Sequence, residues 1–344
     1  MSKRWLAIRT SILISFALSG LFLWLAFRQV DLGGLVRTFA AISLPPVLLS
    51  AVALAGSMVL RALRWRLIAG LPRDRHRPFA RATYLGVLVN LLLPGRVGEF
   101  VRVVTLARLT GSTLALPLAS AVIDRLVDVV VLIGCAGGLY LVLPLDRVLD
   151  EWLIYLLIGT AVLAAALLFF VKGGRLWEQR VATMTARWLQ RWSLRPDVFL
   201  SELRHELHGL LRGWMTLEVV LVAVAILACD YLVVASLFPA FGIPLSPAAP
   251  LLVLVCLGAG SALPSAPGYV GIYQAAAVVA LAFFAQPAES AIALATVLQL
   301  LNLMVALLMN GRGAISLVRR ASALDPDTCT DSPTPGAASE RAVG

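Results

Sequence analysis

Residues 93–100 read LPGRVGEF and stand in the middle of a strongly apolar chain. Pro94-Gly95 ends an apolar run, and Arg96, Glu99 and Arg102 follow within two turns of the helix that begins next. A second stretch, PGYVG at residues 267–271, matches PGRVG at residues 94–98 in every place but the third. The two lie about 173 residues apart, close to half of the 344-residue chain. How these breaks are read decides the fold.

Their surroundings set the class. The chain is 60% hydrophobic and 14% charged, with a mean hydropathy of +0.89. Its apolar residues come in long runs at 5–27, 46–60, 152–171 and 216–238. Crossing a hydrocarbon core as a helix takes about 20 apolar residues. Composition therefore excludes a soluble globular protein and predicts an all-α polytopic membrane protein. The net charge of +10 resides in arginines beside the apolar runs, the pattern of membrane topology rather than of a nucleic-acid-binding face. Cys135, Cys229, Cys256 and Cys329 are isolated, with neither metal nor disulfide spacing. Lys3, Arg4 and Arg9 precede the first run and no small-residue cleavage site follows it, so an uncleaved anchor helix is expected.

Basic residues concentrate in 61–81, in 172–212 and at Arg312, Arg319 and Arg320. Basic loops stay cytoplasmic, which places both termini and these two connections inside. The path then has about six full spans, at 10–27, 44–61, 116–143, 152–171, 215–238 and 291–310. Residues 82–93 are left over; about 18 Å of helix cannot cross a core of about 30 Å. With 96–108 they predict a re-entrant hairpin entered from the cytoplasm. Residues 251–285, broken at 263–268, predict a second hairpin entered from the opposite face, although two short full spans satisfy the same parity.

Sliding the chain by the offset lays 44–61 on 215–238 and 116–143 on 291–310, each pair running in opposite directions. The expected organisation is a single transmembrane domain over 1–320 with inverted-repeat halves at 44–143 and 215–310. A cytoplasmic amphipathic segment covers 172–213, and a disordered tail covers 321–344. Two Pro-Gly-broken re-entrant hairpins in an inverted repeat are a transporter arrangement, with the substrate site at the broken helices. The alternative is two unrelated Pro-Gly kinks.

A helix start within a membrane presents N–H groups and a positive dipole end, for which an anion is the natural ligand. Gly95, Gly98, Gly268 and Gly271 allow close backbone approach, Arg96 and Arg102 add positive charge, and Glu99 can pair with either. Asp124, Arg125 and Asp128 form a second cluster inside an apolar run, where charge faces the bundle interior or water. Tyr269 and Gln274 follow the second break. Asp230 lies deep in another run and suits gating or coupling, or pairing with an arginine. Gln299 and Asn302 read first as helix-to-helix hydrogen-bonding groups. Arg61, Arg64 and Trp65, at the end of the second run, read as a membrane-surface anchor. The bland reading of the Arg96, Glu99 and Arg102 group is an interfacial ion-pair ladder. No P-loop, HExxH or CxxC is present, and His76, His205 and His208 fall in the basic segments; no cofactor, metal or catalytic residue is expected.

Arg61-x-x-Arg64-Trp65, Asn90-x-x-x-Pro94-Gly95-Arg96-x-Gly98-Glu99, Asp124-Arg125-x-x-Asp128 and Pro264-Ser265-Ala266-Pro267-Gly268-Tyr269-Val270-Gly271 resemble the lysylphosphatidylglycerol synthase transmembrane-region family. These are flippase-like membrane proteins that include archaeal dolichyl-phosphate-glycosyltransferase relatives and hopanoid-associated proteins. The resemblance extends to about residue 320. It implies handling of a charged or phosphate-bearing lipid headgroup in the bacterial inner membrane, in support of envelope lipid metabolism. Many members carry an acidic residue where Gln274 stands and Glu where Asp124 stands. The chain shows no counterpart of the aminoacyl-transferase domain of full-length synthases, so an enzyme is not expected. Membrane lipids are the expected partners, with an envelope lipid-modifying enzyme as a further candidate and no nucleic acid. The alternative to a translocator is a non-transporting scaffold that recruits a lipid-modifying or glycosyl-transferring enzyme through 172–212. A third reading, an intramembrane active site, requires Glu99, Asp124, Asp128 and Asp230 to surround a headgroup.

Overall fold

The computed structural model describes residues 42–143 and 196–322 apart from 95, 211–212, 245 and 262–265, together with a few positions between 17 and 33. The expected spans at 10–27 and 152–171, much of the basic segment 172–213, Gly95 and nearly all of the tail lie wholly or largely outside the described residues. Within them the secondary structure is helical, as the apolar runs predict.

Helix α1 (Leu44–Ile68) opens with prolines in its first turn, where a missing N–H removes no helical bond. Helix α2 (His76–Leu92) stops two residues before Pro94, and Leu93 is extended, as the residue before a proline prefers. Helix α3 (Val97–Thr110) follows at once and ends on Gly111 at φ 66°, the left-handed cap that glycine adopts without strain. Helix α4 spans Ala115–Val142. Helix α5 (Pro196–Leu210) is amphipathic, and α6 (Trp214–Leu237) runs into a short 3-10 turn, Phe238–Phe241. Helix α7 (Ala248–Ser261), a 3-10 turn at Pro267–Tyr269 and helix α8 (Ile272–Ala282) form the second broken element. Helix α9 (Ala288–Ser322) closes the described chain and kinks at Gly311.

Among the described residues three helical stretches, Leu44–Ile68, Trp214–Phe241 and Ala288–Gly311, are long and apolar enough to cross a membrane. Helix α4 is longer, 28 residues or about 42 Å, but carries Asp124, Arg125 and Asp128 near its middle. Four of the six expected spans, 44–61, 116–143, 215–238 and 291–310, are thus helical, and the two shorter apolar elements are broken at their Pro-Gly pairs. The sequence reading ended the second span at Arg61, whereas α1 continues for two more turns.

Helices α1 and α6 form the most extensive contact in the bundle. Ser50 Oγ donates to the Val233 carbonyl at 3.0 Å, and Ser57 Oγ donates to Asp230 Oδ1 at 2.6 Å across a separation of 173 residues. A side chain on Gly56 would start 3.7 Å from Cys229 Sγ, at the same separation. Positions equated by the sequence offset therefore touch one another. The two breaks share their backbone as well: Arg96 (φ 57°) and Tyr269 (φ 59°) both adopt the left-handed conformation that side chains disfavour. Their tips meet, since a side chain on Gly268 would begin 3.5 Å from the Leu91 carbonyl. The main core lies where α1, α6, α7, α8 and α9 converge, around Leu237, Phe238, Val253, Leu281 and Leu294.

Candidate functional site

The hairpin of α2 and α3 is held by glycines. A Cβ on Gly86 would sit 2.8 Å from Arg102 Cβ and 2.9 Å from the Gly98 carbonyl, and one on Gly98 would overlap the Gly86 carbonyl. The two backbones touch, and that closeness lets Asn90 Oδ1 accept the Gly98 N–H at 2.7 Å. The Glu99 N–H bonds back to the Arg96 carbonyl at 3.1 Å. At the second break, the Gly271 N–H donates to Gln274 Oε1 at 2.8 Å, and the Gly268 carbonyl accepts from Gln299 Nε2 at 2.9 Å. One backbone N–H at each helix start is thus taken by a side chain, Asn90 for Gly98 and Gln274 for Gly271, and Gly98 also packs against Gly86.

What the hairpin delivers is charge. Glu99 on α3 pairs with Arg102 Nε at 3.0 Å and, across to α4, with both Nε and Nη2 of Arg125. Arg102 Nη1 reaches Asp124 Oδ2 at 3.2 Å, and its guanidinium lies 4.8 Å from the Trp65 ring centre. Asp124 Oδ1 also accepts from Arg64 Nε at 2.8 Å, while Arg64 Nη2 donates to Asp128 at 2.5 Å. Arg125 turns back to Asp128 at 3.0 Å, one turn along α4. Arg61 closes the chain, 2.6 Å from Asp230 on α6 and 3.8 Å from Asp128.

Four helices therefore share one continuous ion-pair network. It sets Arg61, Arg64, Arg102 and Arg125 against Glu99, Asp124, Asp128 and Asp230, four of each sign. Charge removed from water is tolerable in low dielectric only when it is paired and hydrogen-bonded, as here. The expected pairing of Arg125 with Asp128 and of Asp230 with an arginine is present.

The membrane-surface reading of Arg64 and Trp65 is corrected, while Arg61, a third exposed, pairs with Asp230 and Asp128. Arg64 is 1% exposed and Trp65 0%, with the indole N–H donating to Ser120 Oγ at 3.0 Å and the ring edge-on to Phe79. Sequence reasoning placed these residues at an edge because a basic loop follows. The signal that distinguishes them is their register: Ser57, Arg61 and Arg64 recur at helical spacing on the side of α1 that meets α4 and α6.

Arg96 stands apart. Among the described residues no carboxylate comes within ion-pair distance of it, and its Nε is buried without a hydrogen-bond partner. It lies at the tip of the first break, within electrostatic reach of Glu99 and of Tyr273. Tyr273 also senses Arg61 and Asp230, and its ring stacks on Tyr269 with centres 5.3 Å apart. At the second break Gln274 Nε2 donates to Gln299 Oε1 at 2.7 Å and ties α8 to α9. Asn302 bonds within its own helix, to the Leu298 carbonyl. The network is neutral by count, and Arg96 is one positive charge more.

No curated protein and no solved structure gives a match to this chain. Residues 12–309 match the family model for the lysylphosphatidylglycerol synthase TM region, an assignment consistent with the motifs at both breaks. The chain belongs to the lysylphosphatidylglycerol synthase TM region family, whose description ties this membrane protein to lipid metabolism.

Proposed function

We propose that this protein binds the anionic, phosphate-bearing headgroup of a membrane lipid at Arg96 and carries that lipid between leaflets of the bacterial inner membrane, with both termini cytoplasmic. The observation that carries this reading is the charge pattern. A neutral network of four arginines and four carboxylates is joined at its edge by a cation with a buried, unbonded Nε. A phosphate oxygen at Arg96 would complete the charge balance and satisfy that donor. Touching tips at the two breaks and left-handed backbone at equated positions support an inverted-repeat transporter with re-entrant elements, in which the site lies at the broken helices.

The protein acts on this reading without covalent chemistry. Each of Glu99, Asp124, Asp128 and Asp230 is engaged by at least one arginine, which leaves none of them free as a general base. Lipids are the partner; a lipid-modifying enzyme would act before or after transport.

The test is a flip assay in proteoliposomes carrying a fluorescent anionic phospholipid. Arg96→Ala is expected to lower the initial rate about tenfold or more, the scale of one charge-assisted contact. Transport at the wild-type rate by both Arg96→Ala and Glu99→Ala would remove the site assignment.

A further inference from the structure

One buried carboxyl group lies outside the charge network. Glu206, on α5, is 5% exposed, and both of its oxygens are buried without a hydrogen-bond partner. It stands on the helix between Leu203 and Leu207, which pack with Ala119, Ile123 and Val127 of α4. Leu67 and Ile68 of α1 and Val219 of α6 belong to the same apolar cluster. Burial without a donor disfavours the charged form of a carboxyl group, so the docked helix holds Glu206 as a neutral acid. Burial, with Glu202 adding to it, raises its pKa to about 9.

Charges on the surrounding elements do not relieve it. On α4, Asp124, Arg125 and Asp128 are engaged with Arg64, Arg102, Glu99 and Arg61. On α1, Arg64 belongs to that network and Arg66 donates to the Leu71 carbonyl. Glu218 on α6 carries the same sign as Glu206. Glu202, Arg204, His205 and His208 share α5, and among all these groups Glu202 is the one whose charge is felt at Glu206. The placement of α5 gives this carboxyl group leverage. Ile123 and Val127, which α5 covers, immediately precede Asp124 and Asp128, so docking braces the two turns of α4 that carry both carboxylates. Gly213, three residues beyond the end of α5 and the N-cap of α6, has φ 69° and open space around its Cβ position, which suits a hinge.

We propose that α5 is a proton-controlled latch, docked on α4 while Glu206 is neutral and swung away at Gly213 when that carboxyl group loses its proton. The latch is independent of the headgroup reading, and it makes the rigidity of α4 beside Asp124 and Asp128 a function of proton concentration. Its sign follows from the raised value in the docked state. Docking is at full strength below about pH 4.5 and weakens as pH rises toward about 9. Within that window each pH unit lowers the ratio of docked to released α5 about tenfold.

Spin labelling of the full-length protein in nanodiscs provides the test. Cys135, Cys229, Cys256 and Cys329 are changed to serine, and labels are attached at Ser201→Cys, exposed on α5, and Leu221→Cys, exposed on α6. Double electron-electron resonance reads the distance between them across a pH series from about 6 to about 10. A single narrow distance is expected at the acid end, giving way at the alkaline end to a longer and broader population. Glu206→Gln, a neutral side chain of the same shape, is expected to keep the narrow distance throughout the series. An unchanged distance in the protein with Glu206 intact overturns the latch, and so does an equal change in Glu206→Gln. A second label pair, Leu48→Cys on α1 and Leu300→Cys on α9, is expected to keep its distance; a parallel change there would mean general loosening of the bundle and would also overturn the proposal.

Discussion

Replacing Asp124 by Asn keeps the side chain's shape and removes one charge from the centre of the network. Asp124 is 3% exposed and holds two guanidinium groups, Arg64 at 2.8 Å and Arg102 at 3.2 Å. At an effective dielectric constant of about 20, a unit charge about 4 Å from another contributes about 4 kcal/mol. The asparagine oxygen still accepts one hydrogen bond, and Asp128 and Glu99 still compensate part of the positive charge. A net loss of about 3–5 kcal/mol is expected, the range for removing one partner of a buried pair. Equilibrium unfolding in mixed micelles with increasing sodium dodecyl sulfate measures it. Adding Arg102→Met removes the surplus cation and is expected to recover at least about 1 kcal/mol relative to additivity. A loss below about 1 kcal/mol for Asp124→Asn, or strict additivity in the double variant, would refute the view that these charges act as one balanced unit.

Helix α5 offers a pH test away from the network. Glu206 is 5% exposed, both carboxylate oxygens are buried without a partner, and burial beside Glu202 pushes its pKa up to about 9 from the ordinary 4.5. A folded value above the unfolded one means that the neutral group's stability is fully present below about pH 4.5 and is lost as pH rises toward 9. The slope is about 1.4 kcal/mol per pH unit inside that window, and Glu206→Gln is expected to flatten it in thermal melts or in hydrogen exchange of α5. The contact between α1 and α6 is open to chemistry: Gly56→Cys would bring a second thiol to Cys229, whose Sγ lies 3.7 Å from the new Cβ. Mild oxidation is expected to form that disulfide in most molecules, visible as a mobility shift that Cys229→Ser abolishes; free thiols at both positions would contradict the packing of these helices.

The pieces that could be read in the sequence are those with a local signal. Pro94-Gly95 and Pro267-Gly268 break helices by their own chemistry, and Asp124, Arg125 and Asp128 declare themselves against an apolar background. Arg61, Arg64 and Trp65 were legible as important, but not as members of an internal network in which Arg64 and Trp65 are buried. Their partners Asp230, Asp128 and Ser120 come from helices distant in the chain, and an arginine-rich loop beyond them imitates a membrane edge. The glycines deceive in the other direction. Nothing in a sequence separates Gly98, which packs against Gly86, from Gly134, which faces open space. Only the crossing of the helices does that, and the same holds for Arg96, whose distance from every carboxylate among the described residues depends on where those carboxylates have gone.

Backbone contact at Gly86 and Gly98 leaves no layer of side chains between α2 and α3 that could slide or repack. The hairpin is mechanically one arm, with Arg96 at its tip and Arg102 a turn and a half further along. A movement that carries the tip toward a ligand must also displace Arg102 from Asp124, and Glu99 from Arg125 on the neighbouring helix. Stiffness therefore converts a small event at the tip into strain on ion pairs in α4. A side chain at either glycine would loosen that lever even if every charge stayed in place.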